Sequence, residues 1–304
     1  MSDPVHAKPA LASAPTVHAS LLALPADRFR LDGGAMFGVV PKPLWTERHP
    51  ADAGNRIELL TRTLLYRHGE RAVIIDPGIG AVWDERFIER YAVDCRQSQA
   101  DAALAAEGLS PESITDVFLT HLHFDHIGGC FRRAPSGALE LRYPRAVHHV
   151  SERQWDWAQQ PSAKDRGSYI PEQLTALAAS SLLRLHAPGG EGLPGLESFQ
   201  VEGHTPGQQL CRIRIGDRCW VYGGDLFALR DHLRLPWIMA YDLEPLETIK
   251  AKESVLADHL ANGEFLIFGH DAHLVGGRIP PIDGKPAALD DVVSETGGAT
   301  CFFP

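Results

Sequence analysis

The chain has 304 residues, 44% hydrophobic and 22% charged, with a formal net charge of −10. This composition argues against a disordered segment or a small stapled scaffold. The acidic balance argues against a nucleic-acid or anionic-membrane surface, which would need clustered Lys and Arg. Five cysteines, Cys95, Cys130, Cys211, Cys219 and Cys301, form an odd set without C-x-x-C spacing, so neither a disulfide framework nor a thiolate zinc site is indicated. No stretch approaches the roughly 18 apolar residues of a membrane helix. The first 25 residues make a poor signal peptide, broken by Pro4, Pro9, Pro15 and Pro25 and carrying Lys8. The expectation is a cytoplasmic protein acting on a small molecule, with no nucleic-acid or membrane partner and compatible with a homodimer.

Residues 1–20, rich in Ala and Pro, read as a loose arm before a single domain over 21–304, since no linker or internal repeat suggests a cut. From Leu22 to Tyr66, apolar stretches alternate with Gly and Pro, and the run Asp32-Gly33-Gly34-Ala35-Met36-Phe37-Gly38-Val39-Val40 reads as short strands and turns. Residues 59–66 and 72–75 flank His68-Gly69-Glu70 as a hairpin, and the second strand ends in Asp76-Pro77-Gly78-Ile79-Gly80, a usual setting for an active-site loop. Helical spacing predicts helices over 84–92, 99–107, 151–160, 171–185 and 244–261, with a candidate lid over 162–169. Strands are predicted over 116–119, 198–202, 209–215, 218–223 and 265–268.

The strand over 116–119 runs into His121-Leu122-His123-Phe124-Asp125-His126. Borderline metals such as zinc are held by imidazole nitrogen and carboxylate oxygen at about 2.0 to 2.2 Å, so several such side chains must converge. Alternate residues of an extended segment point the same way, so His121 and His123 can face one ion while Asp125 and His126 turn toward a second. With 15 histidines in the chain a lone H-x-H pair would mean little, but the full H-x-H-x-D-H string is specific. Three further candidates each follow a predicted strand and a glycine: His204 in Gly203-His204, Asp225 in Gly223-Gly224-Asp225, and His270 in Gly269-His270. The remaining histidines at 148, 149, 186, 259 and 273 read as surface or hydrogen-bonded side chains.

This ordered pattern resembles the metallo-β-lactamase superfamily. The resemblance implies an α/β four-layer αββα sandwich and two divalent metal ions per chain, zinc first among zinc, iron, manganese and cobalt. His121, His123 and His204 would hold one ion, Asp125, His126 and His270 the other, with Asp225 bridging. Two such ions can share a hydroxide and lower the pKa of its parent water toward about 7, which makes the chain a candidate hydrolase, with Asp125 and Asp225 as its catalytic carboxylates. The segment Asp32 to Trp45, together with Asp225-Leu226, His232, Pro236-Trp237 and Tyr241-Asp242, is similar to the quorum-quenching N-acyl-homoserine lactonases and their phosphotriesterase-like relatives. The implied activity is opening of an N-acyl-homoserine lactone, with a phosphotriesterase or arylesterase as the alternative and a glyoxalase II-like thioesterase behind it. A redox reading with two irons would need an electron-delivery partner and an acidic residue in place of a histidine. One departure stands out, because Ala228 occupies the place where several lactonases carry a tyrosine that can hydrogen-bond the substrate carbonyl. Tyr169 or His232 could substitute from another loop, or the metal alone could polarise the carbonyl as in the phosphotriesterase-like branch, and Met36, Phe37, Trp155, Trp157 and Tyr169 are candidates for an apolar pocket that would bury a substituent at roughly 25 cal/mol per Å².

Overall fold

A computed structural model describes residues 18–25, 27–187, 192–261, 263–279, 289–294 and 299–303. A seven-stranded sheet runs in the order Leu183–His186, Val147–Ser151, Asp116–Phe118, Arg71–Ile75, Leu64–His68, Ala19–Ala23, Thr300–Phe303. A six-stranded sheet runs Leu196–Val201, Gln208–Ile215, Arg218–Tyr222, Phe265–Ile267, Leu274–Arg278, Asp290–Ser294.

The two-residue period of the strands sorts side chains between layers. In Arg71–Ile75, Val73 and Ile75 face the second sheet, whereas Ala72 and Ile74 face helices on the outside. Leu21 and Ala23 likewise point inward with Leu64 and Tyr66, against Cys211, Ile213, Trp220 and Tyr222 of the opposite sheet. The outer face of the first sheet is covered by Ala100 and Leu104 of the helix Gln97–Ala106, Ala158 of Glu152–Gln159, and Leu174 and Leu177 of Pro171–Ala178. The second sheet's outer face, through Leu210, Val221 and Leu266, packs on Val255 and Leu256 of the helix Pro245–Asp258. The result is the expected αββα sandwich, because each sheet buries both of its faces.

Strand register places the loops. Ile75 pairs in parallel with Phe118, so the segments beginning at Asp76 and Leu119 leave the first sheet together. Tyr222 pairs in parallel with Ile267, so those leading to Asp225 and His270 leave the second sheet together.

Several expectations change in detail. Residues 1–17 of the expected arm lie outside the described residues, and Ala19 and Ser20 belong to a strand with Ser20 buried. The region after Asp32 is helical: Gly33–Phe37 forms a short helix because the Asp32 carboxylate accepts the Ala35 N–H at 2.8 Å, and Lys42–Thr46 follows. The span 59–66 divides between Arg56–Leu60 and Leu64–His68. The helix expected over 171–185 stops at Ala178, and Leu183–His186 pairs in parallel with the buried strand Val147–Ser151. Among the described residues no helix is long and apolar enough to cross a membrane.

One buried charge lies under this framework. Lys252, on the helix Pro245–Asp258, is 1% exposed and donates to the Trp237 carbonyl. Burial pushes its ammonium down to about 7, against a partial pull upward from Asp242. The unfolded chain, with a lysine of ordinary pKa, then binds more protons than the folded chain between about pH 7 and 10.5, so stability rises with pH in that window by up to about 1.4 kcal/mol per unit. Denaturant midpoints measured from pH 7 to 9.5 should climb in the native protein and flatten in Lys252→Met; a flat native profile would contradict the assignment.

Candidate metal centre

All seven candidate donors converge, buried, at the edge where these loops leave the two sheets. His121 Nε2 lies 3.0 Å from His123 Nδ1, which lies 3.2 Å from His204 Nε2. His204 Nε2 is in turn 3.1 Å from Asp225 Oδ2. The other oxygen of the same carboxylate, Asp225 Oδ1, stands 2.8 Å from His270 Nε2 and 3.1 Å from His126 Nε2. Asp125 Oδ2 completes this second group at 3.6 Å from His270 and 3.9 Å from His126. Ligands at about 2.0 to 2.2 Å from a shared ion are separated by about 2.8 to 4 Å, depending on the angle they subtend, so both groups have the spacing of a coordination shell.

The outer ring nitrogens fix the tautomers. His270 Nδ1 contacts the Leu60 carbonyl at 2.8 Å, an acceptor only, so that nitrogen carries the proton. The carboxylates of Asp76 and Asp242 hold Nδ1 of His126 and His204 in the same way, at 2.7 and 3.0 Å. Each inner nitrogen of the neutral ring is then a lone pair aimed at other lone pairs and at an ionised carboxylate. Such a donor set fits a divalent cation, with carboxylates and a carbonyl orienting the imidazoles from behind.

The protonation preferences agree. Burial, reinforced by neighbouring imidazoles, holds His121 and His123 well below the ordinary histidine value. Burial also works against charge on His126, His204 and His270, but the surrounding carboxylates, Asp225 foremost, outweigh it and raise all three. Burial disfavours charge on Asp225 as well, yet His270, His126 and His204 hold it far below the usual carboxylate range. Without a cation the cluster recruits protons to balance Asp225, and a metal must displace them. Metal affinity should therefore fall as pH drops from 8 to 6, measurable by competition with a chromogenic chelator, while a pH-independent affinity would contradict this balance.

Backbone geometry delivers these side chains. Gly203 has φ 115°, and a Cβ there would lie 2.4 Å from the Thr248 amide nitrogen, so glycine alone permits the turn into His204. Asp76 holds φ 43°, a left-handed conformation costing about 1 to 3 kcal/mol for most residues. Its carboxylate bonds the Thr120 amide at 2.8 Å, the Thr120 hydroxyl at 2.6 Å and His126. Thr120 in turn meets His121 Nδ1 at 3.0 Å.

A cavity of about 330 Å³ opens onto His123, Asp125, His204, Asp225 and His270, walled by Leu31, Met36, Tyr91, Phe124, Met239, Ala240 and Tyr241, with Lys164 and Ser168 also on its lining. Of the expected pocket residues, Met36 lies on this lining. The other pocket candidates are not on this lining. Phe37 is fully buried, stacked on Trp45 at 5.4 Å, because the helical turn over Gly33–Phe37 rotates it into the core. Trp155 packs against the core of the first sheet. Trp157 donates to Asp165 and borders a separate open groove of about 940 Å³. Tyr169 lies edge-on to His123 at 4.8 Å, but its hydroxyl is bonded to Thr205 and Gln154 behind the ring. His232 is buried, bonded to the Met36 carbonyl. Neither Tyr169 nor His232 can donate into the cavity from these positions.

Sequence reasoning did not assign roles to Asp76, Asp242, Tyr91, Lys164 or Tyr241. Asp76 had a signal in its D-P-G-x-G turn, whereas the others depend on which loops fold over the site.

A model of the metallo-beta-lactamase superfamily matches residues 57–270. The chain belongs to that superfamily. The superfamily chain is 29% identical to a probable metal-dependent hydrolase of Staphylococcus aureus, with a TM-score of 0.81 over 91% of this chain and 97% of that one. The dizinc quorum-quenching lactonase AidC, solved with its product, shares the fold at a TM-score of 0.69 and 19% identity, over 92% and 95% of the two chains. The probable metallo-hydrolase Rv2300c of Mycobacterium tuberculosis is 27% identical over 208 residues, 60% of this chain and 63% of that protein's length. Membership of the superfamily and the buried donor set together point to a divalent-metal site.

The carboxylate behind His126 can be tested directly. Asp76→Asn should leave the fold intact and weaken metal binding by about 10- to 100-fold, because the amide no longer enforces the tautomer; an unchanged affinity would remove Asp76 from the centre.

Proposed function

We propose that the protein opens lactones, with N-acyl-homoserine lactones as the substrate class, at a two-metal centre held by His121, His123, His204, Asp225, Asp125, His126 and His270. The observation that carries this reading is the Asp225 carboxylate, with one oxygen in each donor group, on a cavity lined in part by Leu31, Met36, Phe124 and Met239. Two divalent ions, zinc by preference, would supply a nucleophile at neutral pH and polarise the carbonyl.

The chain's own residues do the rest. Asp225 binds both ions and, being fully ionised, offsets their charge. Asp125 borders the cavity and is 8% exposed, so its carboxylate can carry a proton to the departing alkoxide when the ring opens. Leu31, Met36, Phe124 and Met239 provide apolar surface for an acyl chain. All five cysteines are free, which supports a reducing compartment and a cytoplasmic location.

A phosphotriesterase or arylesterase activity is the second reading, favoured by Ala228. That residue is fully buried, with its carbonyl accepting the His270 amide at 2.7 Å, and it offers no hydroxyl to a lactone carbonyl.

The deciding experiment is metal analysis of the purified protein coupled to a panel of acyl-homoserine lactones of varied chain length, paraoxon-like triesters, nitrocefin and lactoylglutathione. Homoserine lactones should be turned over best, and preference for either of the last two would overturn the assignment. His121→Ala and Asp225→Ala should lose metal and on the order of a thousandfold or more in turnover, equivalent to several kcal/mol of transition-state stabilisation. Full activity after exhaustive chelation would refute metal dependence.

A further inference from the structure

We propose that the Tyr241 hydroxyl is the hydrogen-bond donor to the substrate's reacting carbonyl, in the role that Ala228 leaves unfilled. This rests on the hydrolase reading above.

The donors available to a bound substrate are few. Apart from the seven proposed ligands, the side chains on the cavity lining that can donate are Tyr91, Tyr241, Lys164 and Ser168. Lys164 is engaged, its ammonium donating to the Asp242 carbonyl. The hydroxyls of Tyr91, Tyr241 and Ser168 have no hydrogen-bond partner among the described residues. Tyr91 is wedged into an aromatic stack, 4.7 Å from Phe87 and 5.1 Å from Phe124 between ring centres, which makes it a wall. Ser168 carries its oxygen one carbon from the backbone and has short reach. Tyr241 has no such ring contact among the described residues, retains 37% exposure and lies on the cavity lining with Asp125 and Asp225.

Its backbone is keyed to the metal centre. Asp242, the next residue, orients His204 through Oδ1 and closes the loop on itself through Oδ2, which accepts the Met239 amide at 3.1 Å. The Ala240 amide is tied to the Ala35 carbonyl at 2.8 Å. The carboxylate that fixes a ligand imidazole therefore also fixes the loop bearing Tyr241. Burial, with Asp32, Tyr91 and Asp125 nearby, pushes the phenol up to about 12, so at neutral pH it keeps its proton and acts as a donor.

The test compares native protein with Tyr241→Phe, Tyr91→Phe and Ser168→Ala, all at matched metal content, on N-hexanoyl-homoserine lactone and an aryl ester. Binding of the non-hydrolysable N-hexanoyl-homoserine lactam is measured in parallel by calorimetry. Tyr241→Phe should lose roughly 10- to 100-fold in kcat with KM changed by no more than about threefold, and bind the lactam about fivefold more weakly. Tyr91→Phe and Ser168→Ala should each lose less in kcat than Tyr241→Phe. Native kcat and lactam affinity in fully metallated Tyr241→Phe would overturn the inference, as would the larger loss falling on Tyr91→Phe or Ser168→Ala. Failure of the underlying reading looks different: the metallated native protein would hydrolyse no lactone or ester, and the inference would fall with it.

Discussion

Asp225 places one carboxylate oxygen against each of two imidazole groups, in a position that water barely reaches. An ionised carboxylate so buried costs several kcal/mol unless positive charge surrounds it. The three histidines in contact with it are the ones whose protonated forms are favoured, and the two held neutral, His121 and His123, lie farther from its oxygens or bond mainly to other rings. The site is thus organised around a compensating cation. The charges, tautomers and glycine turns around it follow from that need.

The scaffold meets this need through register. Parallel pairing of Arg71–Ile75 with Asp116–Phe118, and of Arg218–Tyr222 with Phe265–Ile267, sends two pairs of strand ends to one edge. One pair delivers Asp76 with the H-x-H-x-D-H segment, and the other delivers Asp225 with His270. The loop after Leu196–Val201 adds His204. Donors separated by up to 149 positions in sequence meet because the two sheets pack face to face through Val73, Ile75, Ile213 and Tyr222. A one-residue slip in any of these strands would turn its inward side chains outward and carry the ligand loop with them.

The seven candidate donors leave local marks in the sequence, and the layered fold was implied by the resemblance those marks carry. Metal ligands need particular residue types at short spacing, and buried parallel strands read as short apolar runs such as Asp116 to Leu119. What escaped notice lacks such marks. Val147–Ser151 carries His148 and His149, polar side chains that hide a buried strand; His149 is accommodated there by Asp116 at 2.8 Å. The glycine pair after Asp32 reads as a turn, and becomes helix only through the Asp32 cap and the close approach of Trp45, 2.5 Å from where a Gly33 Cβ would sit. The same misreading aimed Phe37 at the pocket, since one helical turn decides whether it faces Met36's cavity or the core. Asp76 and Asp242 act through histidines distant in sequence, so their partners appear only after folding.

The division between what was legible and what was not corresponds to a division of labour in the molecule. The proposed metal ligands follow strand ends, and the rings of His126, His204 and His270 are fixed from behind by a carboxylate or a main-chain carbonyl, an arrangement independent of the substrate. The cavity above them is lined by the loop 239–242 and the segment 162–169, joined where Lys164 donates to the Asp242 carbonyl. Because the Asp242 side chain also orients His204, a change in that loop is felt at the donor cluster through a single residue. A loop that moved to admit a new substituent would have to keep Asp242 on His204, so the cavity lining at Met239 and Ala240 and the donor set are tied together through one side chain.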